Sequence, residues 1–418
     1  MRKTLLVLSV VLFSYHFICA QDLDPLLKRK LTNEQLEQLK LAEEKSNSQK
    51  SYHFLINSAA DSKSYGNEPD WRWKSKIGGS GDDYCKGIAT DSEGNMYFVG
   101  SFCGELSVGS ETLKTTGDRE AIITKFNNSG ELLWIKQIEA STGEKTEAFD
   151  ITVDQSNNIY VTGYYSGSID VGAFNLPDQA EYNLYVIKLN TSGDYLMAVH
   201  YGDEGEYRIG LKMDIDNNGN IYIVGSTQTK TGWRHESIIL KYDSNCTLLW
   251  EQLHDESIND IKVGETHSYF VGVVEGSYND GFIDDNVTLN SSNYISNAFI
   301  LKSDLSGDFK WGVTAAHVNL MESSYGERLD IDSEENIFMV GFFKEQVDFG
   351  GNILTDATTG YITKCDSSGN FQWAKKTTSN IEDVAVNNEN EIVVLSQEIT
   401  RFDNTGNTLW TKKTNLSK

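Results

Sequence analysis

The sequence predicts an all-β chain in which four-stranded sheets repeat around a common axis, and three observations carry that prediction. A strand–turn–strand segment with apolar residues at alternate positions recurs six times along the chain. Each copy is followed by a second strand–turn–strand unit, usually with a Trp in its last strand. Gly is abundant at 35 residues and Pro scarce at 3, as closely spaced turns between short strands require.

The first element precedes the repeats. Arg2 and Lys3 form a basic start, Leu5 to Phe13 an apolar run, and Ile18-Cys19-Ala20 a cleavage site before Gln21. Residues 1–20 therefore read as a secretory signal peptide, too short and wrongly flanked for a membrane helix. Ile18 is bulkier than a residue before a lipid-modified cysteine normally is. No later stretch reaches the ~18–20 apolar residues of a transmembrane segment. Residues 21–69 have helical composition, with Thr32 and Gln35 spaced as a capping box, and predict a short helix and linker.

Residues 70–418 hold the repeats. The first unit appears as KGIATDSEGNMYFVGSF (86–102), FDITVDQSNNIYVTGYY (149–165), LKMDIDNNGNIYIVGST (211–227) and ERLDIDSEENIFMVGFF (327–343). Two worn copies, NDIKVGETHSYFVGVVE (259–275) and IEDVAVNNENEIVVLSQ (381–397), complete the set. In the third copy Asp214, Asp216 and Asn218 resemble the start of a calcium loop, as do Asp330 and Asp332 in a later one. Position twelve, where an EF-hand places a bidentate Glu, holds Gly100, Gly163, Gly225, Gly341 or Ser396. The flanks alternate as strands do, so the shared feature is a tight turn between antiparallel strands. Weak Ca2+ binding is retained as an expectation only for the copies with paired aspartates, and no other cofactor is expected.

The second units run from AIITKFNNSGELLWIKQ (121–137) to EITRFDNTGNTLWTKK (398–413). Their markers are Trp134, Met197, Trp250, Trp311, Trp373 and Trp410, with an additional Trp73 ahead of the first repeat. Between the two units lies a further recurring piece, GELSVGSETL, GSIDVGAFNL, EQVDFGGNIL and, more loosely, GFIDDNVTL, which predicts an extra hairpin or edge ribbon. The expected fold is thus a β-propeller of six four-stranded blades. Trp73 makes one Trp strand too many, so either its strand adds to the last blade or a worn seventh blade exists.

Four cysteines follow the leader, with no CxxC among them. Cys85 and Cys103 flank the first turn and are expected within cross-strand reach, a candidate disulfide in an exported protein. Cys246 and Cys365 lie in non-adjacent repeats and are expected to stay unpaired. The formal charge of −25 repels phosphate backbones and argues against a nucleic-acid partner.

GIATDSEGNMYFVGSF followed by AIITKFNNSGELLW resembles the SBBP-type β-propeller repeat of bacterial exported and cell-surface proteins. The resemblance spans about residues 70–414. It implies a propeller outside the cell, periplasm included, and assigns no activity. Relatives often add a C-terminal sorting or adhesion module; none is visible before Lys418. NNSGELLW and NTGNTLW also resemble the TGxxxW turn of quinoprotein-type and outer-membrane assembly propellers, where Trp docks neighbouring blades. The adjacent cysteines and larger ring of a quinone-dependent dehydrogenase are not seen.

The chemistry of known enzymes leaves few traces. The mature histidines are scattered, without HExxH, and no G-x-S-x-G elbow or phosphate loop occurs. His235 and His254 read as surface residues. Trp233, Tyr278, Phe282 and Tyr294 in variable loops are candidates for stacking on a sugar or a protein. The expected function is an exported, non-catalytic module that binds a protein or glycan. A carbohydrate-active or quinone-dependent propeller enzyme is the alternative.

Overall fold

Antiparallel strands account for every regular element that can be described. The computed structural model describes residues 53–56, 73–79, 81–204, 206–228, 236–275, 281–284, 287–289, 296–317, 322–377, 381–387, 389–396 and 398–413. They lie in a unit running from Tyr52 to Ser417. The leader and the expected helix, within 1–51, lie outside the described residues.

Among the described residues, six four-stranded meanders follow one another in sequence. Their first strands are Tyr84–Thr90, Thr146–Val153, Tyr207–Ile215, Ser257–Val263, Ser323–Ile331 and Asp383–Val386. Consecutive first strands touch one another, as radial stacking of blades demands. The middle strands, such as Met96–Phe102 and Glu120–Phe126, are buried along their whole length. Both faces are withdrawn from solvent, and most of their side chains are apolar, with Ser101, Glu120, Thr124 and Lys125 buried among them. Tyr97, Val99 and Ile123 of the first meander pack with Ile151, Val161 and Tyr185 of the second; later neighbours form similar clusters. The fold is an all-β propeller.

The recurring VG in the second strand has a steric origin. In each of the first five meanders the first strand carries a bulge opposite Gly100, Gly163, Gly225, Gly272 or Gly341. A Cβ on Gly341 would stand 1.8 Å from the Tyr325 carbonyl oxygen, and one on Gly100 1.8 Å from that of Tyr84. Only glycine lets the bulged strand come this close. The sixth copy has Ser396 there, and the register of Asp383–Val386 against Ile392–Leu395 is regular.

The extra ribbon is present. It forms separate hairpins at Ile169–Val171 with Phe174–Leu176 and at Gly281–Asp284 with Val287–Leu289. In the fifth meander it prolongs the middle strands as Ile337–Phe349 and Asn352–Cys365. In the first repeat it is Glu105–Val108 with Glu111–Lys114, extended by Trp73–Gly79 and then His53–Ile56. This corrects the expected place of the Trp73 strand. It pairs with the first ribbon, Ile77 opposite Val108, and does not add to the last blade. Ile77 there joins the apolar cluster of Phe98, Phe102 and Leu106.

A second correction concerns the cysteines. The bulge sets Cys85 opposite Gly100, three residues short of Cys103, and both thiols are free. Burial pushes the Cys85 thiol up to about 12, so it is inert as a nucleophile at neutral pH. His254 is also buried, packed edge-on against Phe309 at 5.4 Å, not a surface residue.

Candidate functional site: the axial charges and the mouth above them

In the turns, the aspartates of the calcium-like pattern accept the turn's own donors. Asp216 Oδ1 accepts the backbone N–H groups of Asn218 and Asn220, at 2.9 and 2.8 Å, and its Oδ2 accepts from the Asn220 side chain and Tyr222. Asp332 makes the same set with Glu334 and Asn336. Asp91 and Asp154 repeat it. These are Asx turns, in which the carboxylate satisfies the turn's own donors. Asn218 contributes its backbone N–H to this turn.

Asp214 and Asp330 serve elsewhere. Asp214 Oδ2 accepts the Val263 N–H of the next meander at 2.7 Å, and Asp330 Oδ2 accepts the Val386 N–H at 2.7 Å. Asp150 does the same to Met213, at 2.9 Å, and Asp260 to Leu329, at 2.9 Å. Every first strand from the second to the fifth thus reaches the backbone of its successor through an aspartate. The cations stand among these acids. Lys212 lies 3.7 Å from Asp150, and Lys262 lies 3.8 Å from Asp330.

Reading the first strands in register gives two layers. One holds Gly87, Asp150, Lys212, Asp260, Arg328 and Asp383, each opposite the residue before the second-strand Gly or its Ser396 equivalent. The other, two residues on, holds Ala89, Thr152, Asp214, Lys262, Asp330 and Ala385. The field within the layers follows from burial and sign. Burial pushes the Asp260 carboxyl up to about 6, Lys212 and Arg328 opposing the shift. Burial likewise raises Asp214 and Asp330. The Asp214 charge, then Asp330 and Asp260, hold Lys262 protonated against its own desolvation.

Aromatic groups gather where the first strands begin. Phe149, Tyr164, Tyr182 and Tyr207 follow one another at centroid distances of 5.9, 4.6 and 5.2 Å. Lys86 lies 5.4 Å over the Phe149 ring and Arg119 4.8 Å over Tyr84. Glu147 accepts from Tyr164, at 2.7 Å, and pairs with Arg119 at 3.7 Å. Tyr182, Tyr207 and Phe149 keep partial exposure. This mouth of rings, cations and one acid was not among the sequence candidates. Trp233, Tyr278 and Tyr294 lie outside the described residues, as do His235 and the side chain of Phe282.

Trp134, Trp250, Trp311 and Trp373 lie between neighbouring meanders. Trp134 donates Nε1–H to the Thr191 carbonyl at 3.1 Å, Trp311 to that of Ser367 and Trp373 to that of Asn404. Each ring lies on a turn glycine: Gly193, Gly369 and Gly406, with Gly307 receiving Trp250. A lysine opposite the Trp reinforces the joint, as Lys125 does by donating to Thr191 O at 3.1 Å. At the second joint Met197 replaces Trp, and Cys246, at φ 57°, stands where the receiving glycine would be.

The β-propeller repeat model SBBP matches residues 72–101 and 133–167. These two segments are similar to SBBP propeller repeats. Among curated proteins this propeller is 22% identical to an uncharacterized WD repeat-containing protein of Acanthamoeba polyphaga mimivirus, over 79% of its own length. It spans 30% of that relative. Among solved structures it is similar to BamB from Moraxella catarrhalis, at 11% identity and a TM-score of 0.37, covering 78% of this chain and 83% of that one. A protein of unknown function from Dyadobacter fermentans gives 10% and 0.41 over 78% and 93% of the two chains. The polysaccharide lyase Uly1 gives 10% and 0.39 over 74% and 64%.

Proposed function

We propose that this chain is an exported, six-bladed, non-catalytic propeller that binds a protein or glycan at or outside the cell surface, through the mouth formed by Tyr84, Lys86, Arg119, Phe149, Tyr182 and Tyr207. The observation that carries the reading is the use already made of the axial acids. Asp150, Asp214, Asp260 and Asp330 each accept a backbone N–H of the next blade. An acid held this way has one oxygen committed to the joint between blades, so it is held by the scaffold and not offered to a ligand. The mouth, by contrast, offers half-exposed ring faces with cations beside them, a combination that stacks on sugars and on protein side chains alike.

The test is a thermal melt of residues 21–418 against an oligosaccharide panel, with Tyr182→Ala beside the parent. A glycan present at about 100 times its Kd stabilises the parent by about 2.7 kcal/mol. That rise is expected in the parent and is lost in Tyr182→Ala. Silence across the panel shifts the partner to a protein, sought by melts with surface-protein fractions. Turnover of any panel sugar, followed as new reducing ends or unsaturated products, overturns the non-catalytic reading.

A further inference from the structure

The joints between consecutive blades are not equal, and the second, between the second and third blades, lacks fastenings that the others have. The first, third, fourth and fifth joints seat a Trp on a turn glycine: Trp134 on Gly193, Trp250 on Gly307, Trp311 on Gly369 and Trp373 on Gly406. The second joint has Met197 and Cys246 instead, and Cys246 holds the left-handed φ of 57° despite its side chain. Another fastening is missing there as well. Thr146 Oγ1 accepts the Ala121 N–H across the first joint, Ser237 Oγ the Ile258 N–H across the third and Ser324 Oγ the Ala298 N–H across the fourth, each at 2.9 Å. At the second joint Leu184 and Arg208 occupy these register positions, and neither side chain can accept.

Arg208 and Asn183 weaken the joint further. Both are buried, and although Arg208 pairs with Glu206 at 2.8 Å, no protein group meets its Nη1 or the Asn183 Oδ1. The Tyr182 N–H reaches the Glu206 carbonyl only at 3.4 Å, against 2.9 Å for Asp118 and Glu144 at the first joint. The third joint also has an unpartnered atom, Trp250 Nε1. There, however, the ring rests on Gly307, Gln252 donates to the Gly307 carbonyl at 3.0 Å and Lys241 to the Leu305 carbonyl at 2.6 Å. Across the second joint run the Asp150 bond to Met213, the Arg208 N–H bond to the Tyr182 carbonyl, Lys188 on the Ser244 carbonyl, Tyr201 on Glu251, and the apolar cluster around Met213.

We propose that this second joint is the seam at which the propeller opens, and that opening draws Tyr182 of the second blade away from Tyr207 of the third. The two rings meet edge to face at 5.2 Å, and their backbones touch through a single parallel bridge. The row Phe149, Tyr164, Tyr182 therefore belongs to one side of the seam and Tyr207 to the other. Opening divides the row and gives it a joined and a parted state. The functional weight of those two states rests on the reading of the mouth as the binding site; the seam itself does not.

Amide exchange of the full chain, without ligand, tests the seam, because three joints carry the same reporter. The N–H groups of Met213, Val263 and Leu329 each rest on an aspartate of the preceding blade, at 2.9, 2.7 and 2.9 Å. Met213 is expected to exchange about tenfold or more faster than Val263 and Leu329. Equal protection of the three overturns the proposal. Alkylation of the parent, read peptide by peptide, is a second measurement that needs no variant. Cys246 at the seam and Cys365 at the fourth joint are both buried. Below the unfolding transition Cys246 should react and Cys365 should not; an unreactive Cys246 overturns the seam. Tyr182→Ala should speed Met213 exchange further and leave Val263 unchanged, and an unchanged Met213 overturns the coupling to the mouth. Every arm is free of ligand, so failure here leaves the binding reading to its own melts.

Discussion

Replacing Asp330 by Ala separates a structural aspartate from a catalytic one. The substitution removes the acceptors of the Ile331 and Val386 N–H groups, at 3.0 and 2.7 Å, and one acid beside Lys262. Orphaning a buried N–H costs about 1–3 kcal/mol. The Lys262 contact is worth about 1 kcal/mol, since its side chain is 37% exposed and Asp214 remains as a partner. The expected loss is therefore about 2–4 kcal/mol, concentrated at the joint between the fifth and sixth blades. Amide exchange reads this locally. The Val386 N–H should exchange about 30- to several-hundred-fold faster, because each 1.4 kcal/mol is a factor of ten. Asp203→Ala, at an exposed loop position, is the control and should stay within about 0.5 kcal/mol of the parent. If Asp330→Ala keeps the parent's midpoint and Val386 protection while ligand binding or turnover disappears, Asp330 is a site residue and the reasoning fails.

The steric account of the bulge predicts that Gly341→Ala costs about 3–5 kcal/mol, comparable to a large core truncation, because the clash is with backbone. Gly351→Ala, with open space around it but φ 96°, should cost only about 1 kcal/mol in the same urea titration; equal losses would refute the account. Met197→Trp combined with Cys246→Gly restores the joint found elsewhere, and its gain in midpoint should exceed the sum of the single changes. Additive singles would show that Met197 and Cys246 are not partners. The raised Asp260 carboxyl gives a pH signature. Its folded value lies above the unfolded one, so its ionisation costs stability above about pH 6, and that cost fades as pH falls towards 4. The Asp260→Ala midpoint should lack this component between pH 4 and 6, and a difference from the parent that is constant over that range would contradict it.

The parts of the fold legible in the sequence are those set by local chemistry. The Asx turns, the alternation and the Trp positions are written in consecutive residues, so repeats, ribbon and docking joints could be read directly. The axial layers were not, since they appear only when Asp150, Lys212, Asp260, Arg328 and Asp383 are aligned as one column across repeats. That column of alternating sign was present in the aligned copies and was the available signal. The Cys85–Cys103 pairing failed for a related reason: a single bulge residue moves Cys85 along its strand, and counting back from a turn does not see it. Trp73 misled because a Trp before a repeat looks like a closing strand, whereas the pairing of its strand is decided by Val108 and Leu106 more than thirty residues away. His254 was misjudged because acidic neighbours in sequence say nothing of Phe309, which covers it.

The charged axis poses a physical question, since buried ion pairs add little stability over well-packed apolar groups. Registry between nearly identical repeats offers an answer. Leu, Ile and Val faces of neighbouring blades would fit almost as well after a shift along the strand, because dispersion is insensitive to identity. A carboxylate aimed at one N–H is not tolerant in this way. A one-residue slip would bring a carbonyl to Asp260 in place of the Leu329 N–H and leave both oxygens repelling each other. The bulge that exposes this N–H depends on Gly341 in the adjoining strand, so glycine and aspartate act as a matched pair across the joint. On this argument the acids are retained for alignment of the blades, and the mouth above them is left free to vary with the ligand.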